Sequence, residues 1–147
     1  MRNYFFIALI FIISCQAKKE EIKEFQPIDF PKYQLLEILE YTYDSDSFPG
    51  IKDILKEKDQ IQYHLLINGT DNFNLDTNHF STNRSFSACF QPHHSLILHD
   101  KKAVDTIDIC FSCGNFSFNN GPTRELKNQN ALIKALNNHG LNISENN

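Results

Sequence analysis

The spacing of apolar residues predicts helices in the first part of the globular region. Between residues 33 and 43 apolar side chains recur every three or four positions, which is typical of an amphipathic helix. Pro31 suits the first turn of that helix. A second, short helix is predicted over 51–55, after the turn dipeptide Pro49-Gly50. We therefore expect the fold to begin with helices.

Strand patterns follow in the middle of the chain. In residues 61–67 apolar side chains occupy every odd position, and the run ends at Asn68-Gly69, a favoured turn dipeptide. Two β-rich runs, 95–99 and 104–111, flank four polar or small residues. This arrangement predicts a hairpin spanning 95–111 within an antiparallel sheet.

The last third of the chain predicts loops and one helix. Residues 70–84 and 114–122 are rich in Asn and Ser and are expected to form loops. Thr123 is the expected N-cap of a helix, and Gly140 its C-terminal stop. The apolar stripe of this helix consists of Leu126, Ile133 and Leu136. Helices, strands and a final helix, in that order, predict a small α+β domain.

The N-terminus has the pattern of an export signal. Arg2 precedes an unbroken apolar run over residues 4–13, too short for a bilayer, which needs about 20 apolar residues, but suited to a signal peptide. The run ends in Ile-Ile-Ser-Cys at residues 12–15, which resembles a bacterial lipobox. The resemblance implies that Cys15 is acylated and becomes the first mature residue. An ordinary signal peptide or a buried N-terminal strand is the alternative.

These patterns divide the chain into three parts. We expect a signal peptide over 1–14, a lipidated polar tether over 15–28 and a single globular domain over 29–147. A chain of 147 residues with 41% hydrophobic composition allows only one such domain. The predicted location is the bacterial cell envelope, with Cys15 attached to the membrane.

The charge of the chain bears on its partners. It has 14 Lys and Arg residues against 18 Asp and Glu residues, a formal net charge of −4. Nucleic-acid-binding domains usually carry a basic excess. We therefore expect no nucleic-acid partner.

The predicted hairpin brings together three cysteines and at least one histidine. If the hairpin turns at Lys101-Lys102, His93 lies opposite Cys110. The same register places Cys89 close to Cys113. Three cysteines and one histidine form a complete tetrahedral zinc set. The predicted metal ligands are Cys89, His93, Cys110 and Cys113, with His94 as the alternative to His93.

Other interpretations of the cysteines remain open. One disulfide, either Cys110–Cys113 or Cys89 with one of them, would leave the third thiol as a small buried side chain. A thiol–disulfide oxidoreductase is less well supported, because redox Cys-x-x-Cys motifs usually begin a helix. Here the next helix signal, Thr123, lies ten residues beyond Cys113. Zinc is the one cofactor that the pattern suggests.

The same segment resembles a family of small, mostly uncharacterised bacterial proteins. The shared features are a Cys-aromatic-x-Pro-His-His segment at 89–94 and an Ile-Cys-Phe-x-Cys segment at 109–113. The resemblance covers 88–116 and implies that the two halves form one unit. It implies no particular activity.

The sequence thus predicts an envelope lipoprotein that serves as a non-catalytic binding or interaction module with a Cys/His cluster. A thiol-based or metal-dependent envelope enzyme is one alternative. A disulfide-stabilised, immunity-like lipoprotein that binds a partner is the other. The remaining histidines are expected at the surface or at caps: His64, His79, His99 and His139.

Overall fold

A seven-stranded antiparallel sheet forms the body of the protein. The computed structural model describes residues 25–44, 46–69 and 75–144. The strands lie in the order β2-β1-β4-β5-β6-β7-β3, and every neighbouring pair is antiparallel. Their bounds are β1 (Leu35–Tyr41), β2 (Ile61–Asn68), β3 (Phe80–Arg84), β4 (His94–His99), β5 (Val104–Cys110), β6 (Asn115–Phe118) and β7 (Arg124–Leu126).

Helix contributes little to the described residues, so the predicted α+β class with N-terminal helices is wrong. The helix α1 is a single turn, Ile51–Ile54. The helix α2, Gln129–Asn138, is the one longer helix in the described ranges. The fold is mainly β, and the two helices pack against opposite faces of one sheet.

The segment predicted as the first helix is strand β1, at an interior position of the sheet. It pairs with β2 on one side and with β4 on the other. Leu36 and Ile38 are buried on one face, and Leu39 and Tyr41 on the other. Because an interior strand can be covered on both faces, its apolar residues need not alternate. That crowded pattern resembles helical spacing, which explains the error.

Three further strands lie where loops or helix were expected. β3 falls inside the predicted loop 70–84, of which residues 70–74 lie outside the described ranges. β6 falls inside the predicted loop 114–122, and β7 replaces the first turn of the predicted helix. Thr123 does not cap α2; its hydroxyl donates to the carbonyl of Ser85 at 2.6 Å.

Other predicted elements are confirmed. The alternating segment at 61–67 is β2, whose residues alternate between partly buried and exposed. The 95–111 hairpin is formed by β4 and β5. The chain leaves α2 through Gly140, whose φ of +102° is a conformation that favours glycine.

The sheet has two differently covered faces. We call the face beneath α2 the helix face; its core contains most of the buried aliphatic and aromatic side chains, including Leu132, Ile133 and Leu136 of α2. We call the other the turn face, because the single turn α1 covers part of it through Ile51 and Ile54. The turn face also carries the two polar clusters described below.

The predicted N-terminal features lie largely outside the described residues. The signal peptide, Cys15 and the tether up to residue 24 are not described. Residues 25–28 contact the fold: Phe25 packs against Phe116 and Phe118, and Ile28 is buried. In the described ranges, no helix has the length and apolar character needed to cross a membrane.

Candidate functional site

The β4–β5 hairpin has the predicted register. His94 pairs with Ile109 at one end and His99 with Val104 at the other. One position beyond the paired residues, this register places His93 opposite Cys110. The amide of Tyr41 donates to the carbonyl of His93 at 2.9 Å, so the end of β1 lies beside His93. Two halves that are distant in sequence therefore meet at the end of the hairpin.

Cys110 and Cys113 are joined by a disulfide across the turn between β5 and β6. Their Cα atoms are 5.6 Å apart. Cys110 is buried, while Cys113 is partly exposed. Gly114 closes the turn with a φ of +65°, and its amide donates to the carbonyl of Phe111. The side chain of Gln129 donates to the same carbonyl at 2.9 Å, which connects the turn to α2.

Cys89 is a free thiol in the exposed segment between β3 and β4. Its carbonyl oxygen lies 3.9 Å from Sγ of Cys110, so the two segments are in contact. Its own Sγ lies 3.4 Å from the hydroxyl of Ser87. The backbone of Cys89 thus contacts the disulfide at Cys110, while the side chain of Cys89 is exposed.

The two adjacent histidines have different surroundings. The exposed ring of His93 stacks on Tyr43 at 5.3 Å, and its Nδ1 lies 3.2 Å from the carbonyl oxygen of Tyr41. His94 packs edge-on against Phe111, a helix-face core residue, at 5.1 Å. Burial, together with the nearby charge of His93, lowers the pKa of His94 to about 4. Since successive strand residues point to opposite faces, the two imidazoles cannot both lie on the turn face.

The structure therefore brings some of the predicted ligands together and separates others. Cys110 and Cys113 are bonded to each other, Cys89 contacts Cys110 through its backbone, and His94 is on the other face. Across the described ranges, no group of three or more Cys, His, Asp or Glu side chains has an arrangement that could hold a metal ion. Zinc binding by Cys89, His93, Cys110 and Cys113 stays a prediction.

A buried series of side-chain hydrogen bonds on the turn face was not predicted from the sequence. The hydroxyl of Ser95 donates to Oδ1 of Asp108 at 2.6 Å, and the hydroxyl of Tyr41 lies 2.9 Å from Ser95 Oγ. Because the Ser95 hydroxyl has one hydrogen, Tyr41 donates to it. Burial raises the pKa of Asp108 to about 6, although the hydrogen bond from Ser95 opposes the shift. Burial also raises the pKa of Tyr41.

Asp108 is unusual because one of its oxygens has no hydrogen-bond partner. The residue is fully buried, and Oδ2 contacts no donor among the described residues. A buried carboxylate with an unpaired oxygen is costly unless it is protonated. Ile107 and Ile109 on either side of Asp108 indicate a strand, but the burial of Asp108 depends on the strands that pair with β5 on each side.

A second polar cluster crosses three strands of the turn face. Nε2 of His64 donates to Oε2 of Glu37 at 2.7 Å, and Nε2 of His99 donates to the other oxygen of the same carboxylate. The sequence predicts both histidines at the surface and gives no sign of this shared partner. His64 is exposed and His99 is partly exposed, and each is hydrogen-bonded to Glu37.

Two surface clefts lie away from the cysteines. One has a volume of about 520 Å³ and is lined by residues that include Phe25, Tyr33, Asp105 and Arg124. The other, of about 470 Å³, lies beside α1 on the turn face. Neither is lined by a cysteine or a histidine, so these clefts do not coincide with the Cys/His segment.

Comparisons with known proteins add no family to this description. Neither protein-family models, nor curated proteins, nor solved structures give a significant match to the chain. Its site must be interpreted from its own residues.

Proposed function

We propose that this chain is a lipid-anchored protein of the bacterial envelope that serves as a non-catalytic binding module. The observation that carries the proposal is the disulfide between Cys110 and Cys113. Structural disulfides persist in oxidising compartments such as the envelope and are rare in the cytosol. The location agrees with the export signal and lipobox-like segment that end at Cys15.

The same disulfide, together with the proposed lipid, accounts for three of the four cysteines. Cys15 receives the lipid, Cys110 and Cys113 pair, and Cys89 remains as a free thiol. The bond connects the end of β5 to the turn that precedes β6, in the middle of the sheet. Its role in this proposal is to hold the hairpin end in one conformation.

The surroundings of the polar groups support a non-catalytic role. Asp108 and Ser95 are fully buried, and Cys110 is 1% exposed, so a substrate has no access to them. The Cys-x-x-Cys motif occupies a turn between strands. It therefore lacks the helix N-terminus that lowers thiol pKa values in redox enzymes.

Zinc binding is the second candidate, and it concerns the reduced protein. With the disulfide open, Cys110 and Cys113 would become two thiolate ligands, with Cys89 and His93 on the adjoining segment. The contact between the Cys89 carbonyl and the Cys110 sulfur is the observation that favours this set. Four such ligands would form a closed, structural site.

The lipid anchor is tested in a Gram-negative host that expresses the full chain. Wild type should incorporate radiolabelled palmitate and fractionate with membranes, and Cys15→Ser should lose the label. Cys89→Ser is the matched control and should remain labelled. Equal labelling of the Cys15→Ser variant would overturn the lipoprotein proposal.

The cysteine chemistry is tested on chain recovered from the envelope. After alkylation without reductant, mass mapping should find a Cys110–Cys113 linked peptide and an alkylated Cys89. Metal analysis of the same sample should find less than about 0.1 zinc per chain, because paired cysteines cannot ligate. One zinc per chain with three alkylation-protected thiols would replace the disulfide proposal with the zinc site.

A further inference from the structure

The two edges of the sheet differ in how they are protected. β3 has five residues, an irregular register with β7 and a terminal Arg84. Short length, irregularity and charge are devices that prevent edge strands from pairing. β2 has eight residues, and its segment Tyr63–Asn68 pairs regularly with β1. That segment contains no lysine, arginine, proline or glycine.

The backbone of this segment has hydrogen-bonding groups along its outer side that no strand among the described residues pairs with. The amide of Gly69 donates to the carbonyl of Gln34 at 2.6 Å. Hydrogen-bonded pairs alternate in an antiparallel ladder, so residues at odd positions of β2 face β1. The amides and carbonyls of His64, Leu66 and Asn68 consequently face away from it. No strand of the described ranges pairs with that side.

We propose that this outer edge of β2 pairs with the same edge of a second copy of the chain. The two strands would run antiparallel about a two-fold axis at Leu65. His64 of each copy would then lie opposite Leu66 of the other, and these residues carry outward-facing amides and carbonyls. The central pairs would form four hydrogen bonds between the copies.

Side chains favour this register over its neighbours. On the helix face, Leu65 meets Leu65 of the second copy and Tyr63 meets its Ile67; all three are partly buried and already pack against the core. On the turn face, the 58% exposed Leu66 would lie opposite His64 of the second copy, whose imidazole is hydrogen-bonded to Glu37 of its own copy. Such apolar cross-strand contacts stabilise sheets.

The adjacent registers are poorer. An axis at His64 would place two imidazoles opposite each other and would extend the ladder into the irregular start of β2, near Ile61. An axis at Leu66 would place Leu66 opposite Leu66 and Leu65 opposite Ile67, but it would leave Tyr63 opposite Gly69, with no side chain to contact. The axis at Leu65 uses the regular part of the strand in both copies.

This inference does not depend on the lipid anchor or the disulfide, and it is tested by crosslinking in cells. The full chain carries Cys89→Ser, which removes the exposed thiol, together with either Leu65→Cys or Ile67→Cys. Cα atoms of an antiparallel, non-hydrogen-bonded pair are about 4.5 Å apart, within disulfide range. After mild oxidation, Leu65→Cys should give at least tenfold more disulfide-linked dimer than Ile67→Cys, whose partner would be Tyr63. Equal yields would overturn the proposed register.

A second pair of variants tests the edge itself. Leu66→Lys, added to Leu65→Cys, should lower the crosslinked fraction at least tenfold, because each copy would place a charge in the interface. Val104→Lys is the matched control, since Val104 is 57% exposed on the same face but distant from β2; it should leave the fraction unchanged. Equal effects of both substitutions would refute pairing through this edge.

Sedimentation velocity in detergent covers the case in which Leu65→Cys fails to fold. Wild type should sediment as a dimer and Leu66→Pro as a monomer. The Leu66 amide faces away from β1, so proline removes no hydrogen bond within the copy. A monomeric wild type, or a dimeric Leu66→Pro, would refute pairing of two copies through this edge.

Discussion

Replacing Asp108 by asparagine should stabilise the protein at neutral pH. The Asp108→Asn variant would keep an oxygen that accepts the hydrogen bond from Ser95, and it would remove the charge from a fully buried site. Burial raises the pKa of Asp108 from 3.8 to about 6 in the folded state. The folded protein therefore favours the protonated acid, and ionisation at higher pH costs stability.

The size of the effect follows from this difference. A raised carboxyl pKa leaves stability intact below the unfolded value and lowers it as the pH rises through the folded value. A difference of roughly two pKa units corresponds to about 3 kcal/mol. The free energy of unfolding of Asp108→Asn, relative to wild type, should thus increase by about 3 kcal/mol between pH values of roughly 3.5 and 7.

Urea unfolding followed by circular dichroism, at half-unit pH steps, measures this difference. Asp105→Asn in the same strand is the control with the opposite sign. Burial alone would raise the pKa of Asp105, but hydrogen bonds from Tyr33 and Asn119 and the charge of Lys32 lower it overall. Asp105→Asn should lose stability relative to wild type as the pH rises. A pH-independent difference for Asp108→Asn would refute the buried-charge argument.

Three further predictions concern stability. The free energy of unfolding of His94→Gln, relative to wild type, should rise by about 3 kcal/mol as the pH falls from about 7 to about 4, measured by urea unfolding. The reason is that burial lowers the pKa of His94 from 6.5 to about 4, so its protonation destabilises the wild-type fold. Phe116→Ala should cost about 3–5 kcal/mol in the same assay, since the ring is fully buried, whereas the 99% exposed Phe86 should tolerate alanine without measurable change. Reduction of Cys110–Cys113 should cost only about 2 kcal/mol in chemical denaturation, because the bond closes a short loop; loss of the cooperative transition would contradict that expectation.

The local elements that the sequence predicted well have signals confined to a few neighbouring residues. The polar turn between 99 and 104 determines the register of the β4–β5 hairpin, so His93 and Cys110 could be placed opposite each other without a structure. β2 is recognisable because one face is more exposed than the other, which produces alternation. The end of α2 is marked by Gly140, where a positive φ is required.

The site was less predictable because its chemistry depends on faces and neighbours. Whether Cys110 bonds to Cys113 or joins Cys89 in binding a metal depends on side-chain direction, which spacing does not contain. From the sequence, either His93 or His94 could be a ligand. In the structure their rings lie on opposite faces of the sheet, because successive strand residues alternate in direction. Asp108 could not be recognised as buried until both neighbours of β5 were known.

By itself, the sequence determined the hairpin, its register and the presence of three cysteines beside it, since these depend on short-range turn chemistry and strand periodicity. Tertiary structure alone decided that residues 35–41 form an interior strand and not a helix, because burial on both faces comes from strands β2 and β4 that are distant in the chain. It also decided that Tyr41, Ser95 and Asp108 form one buried chain. Long-range pairing brings these residues together, and no local pattern encodes it.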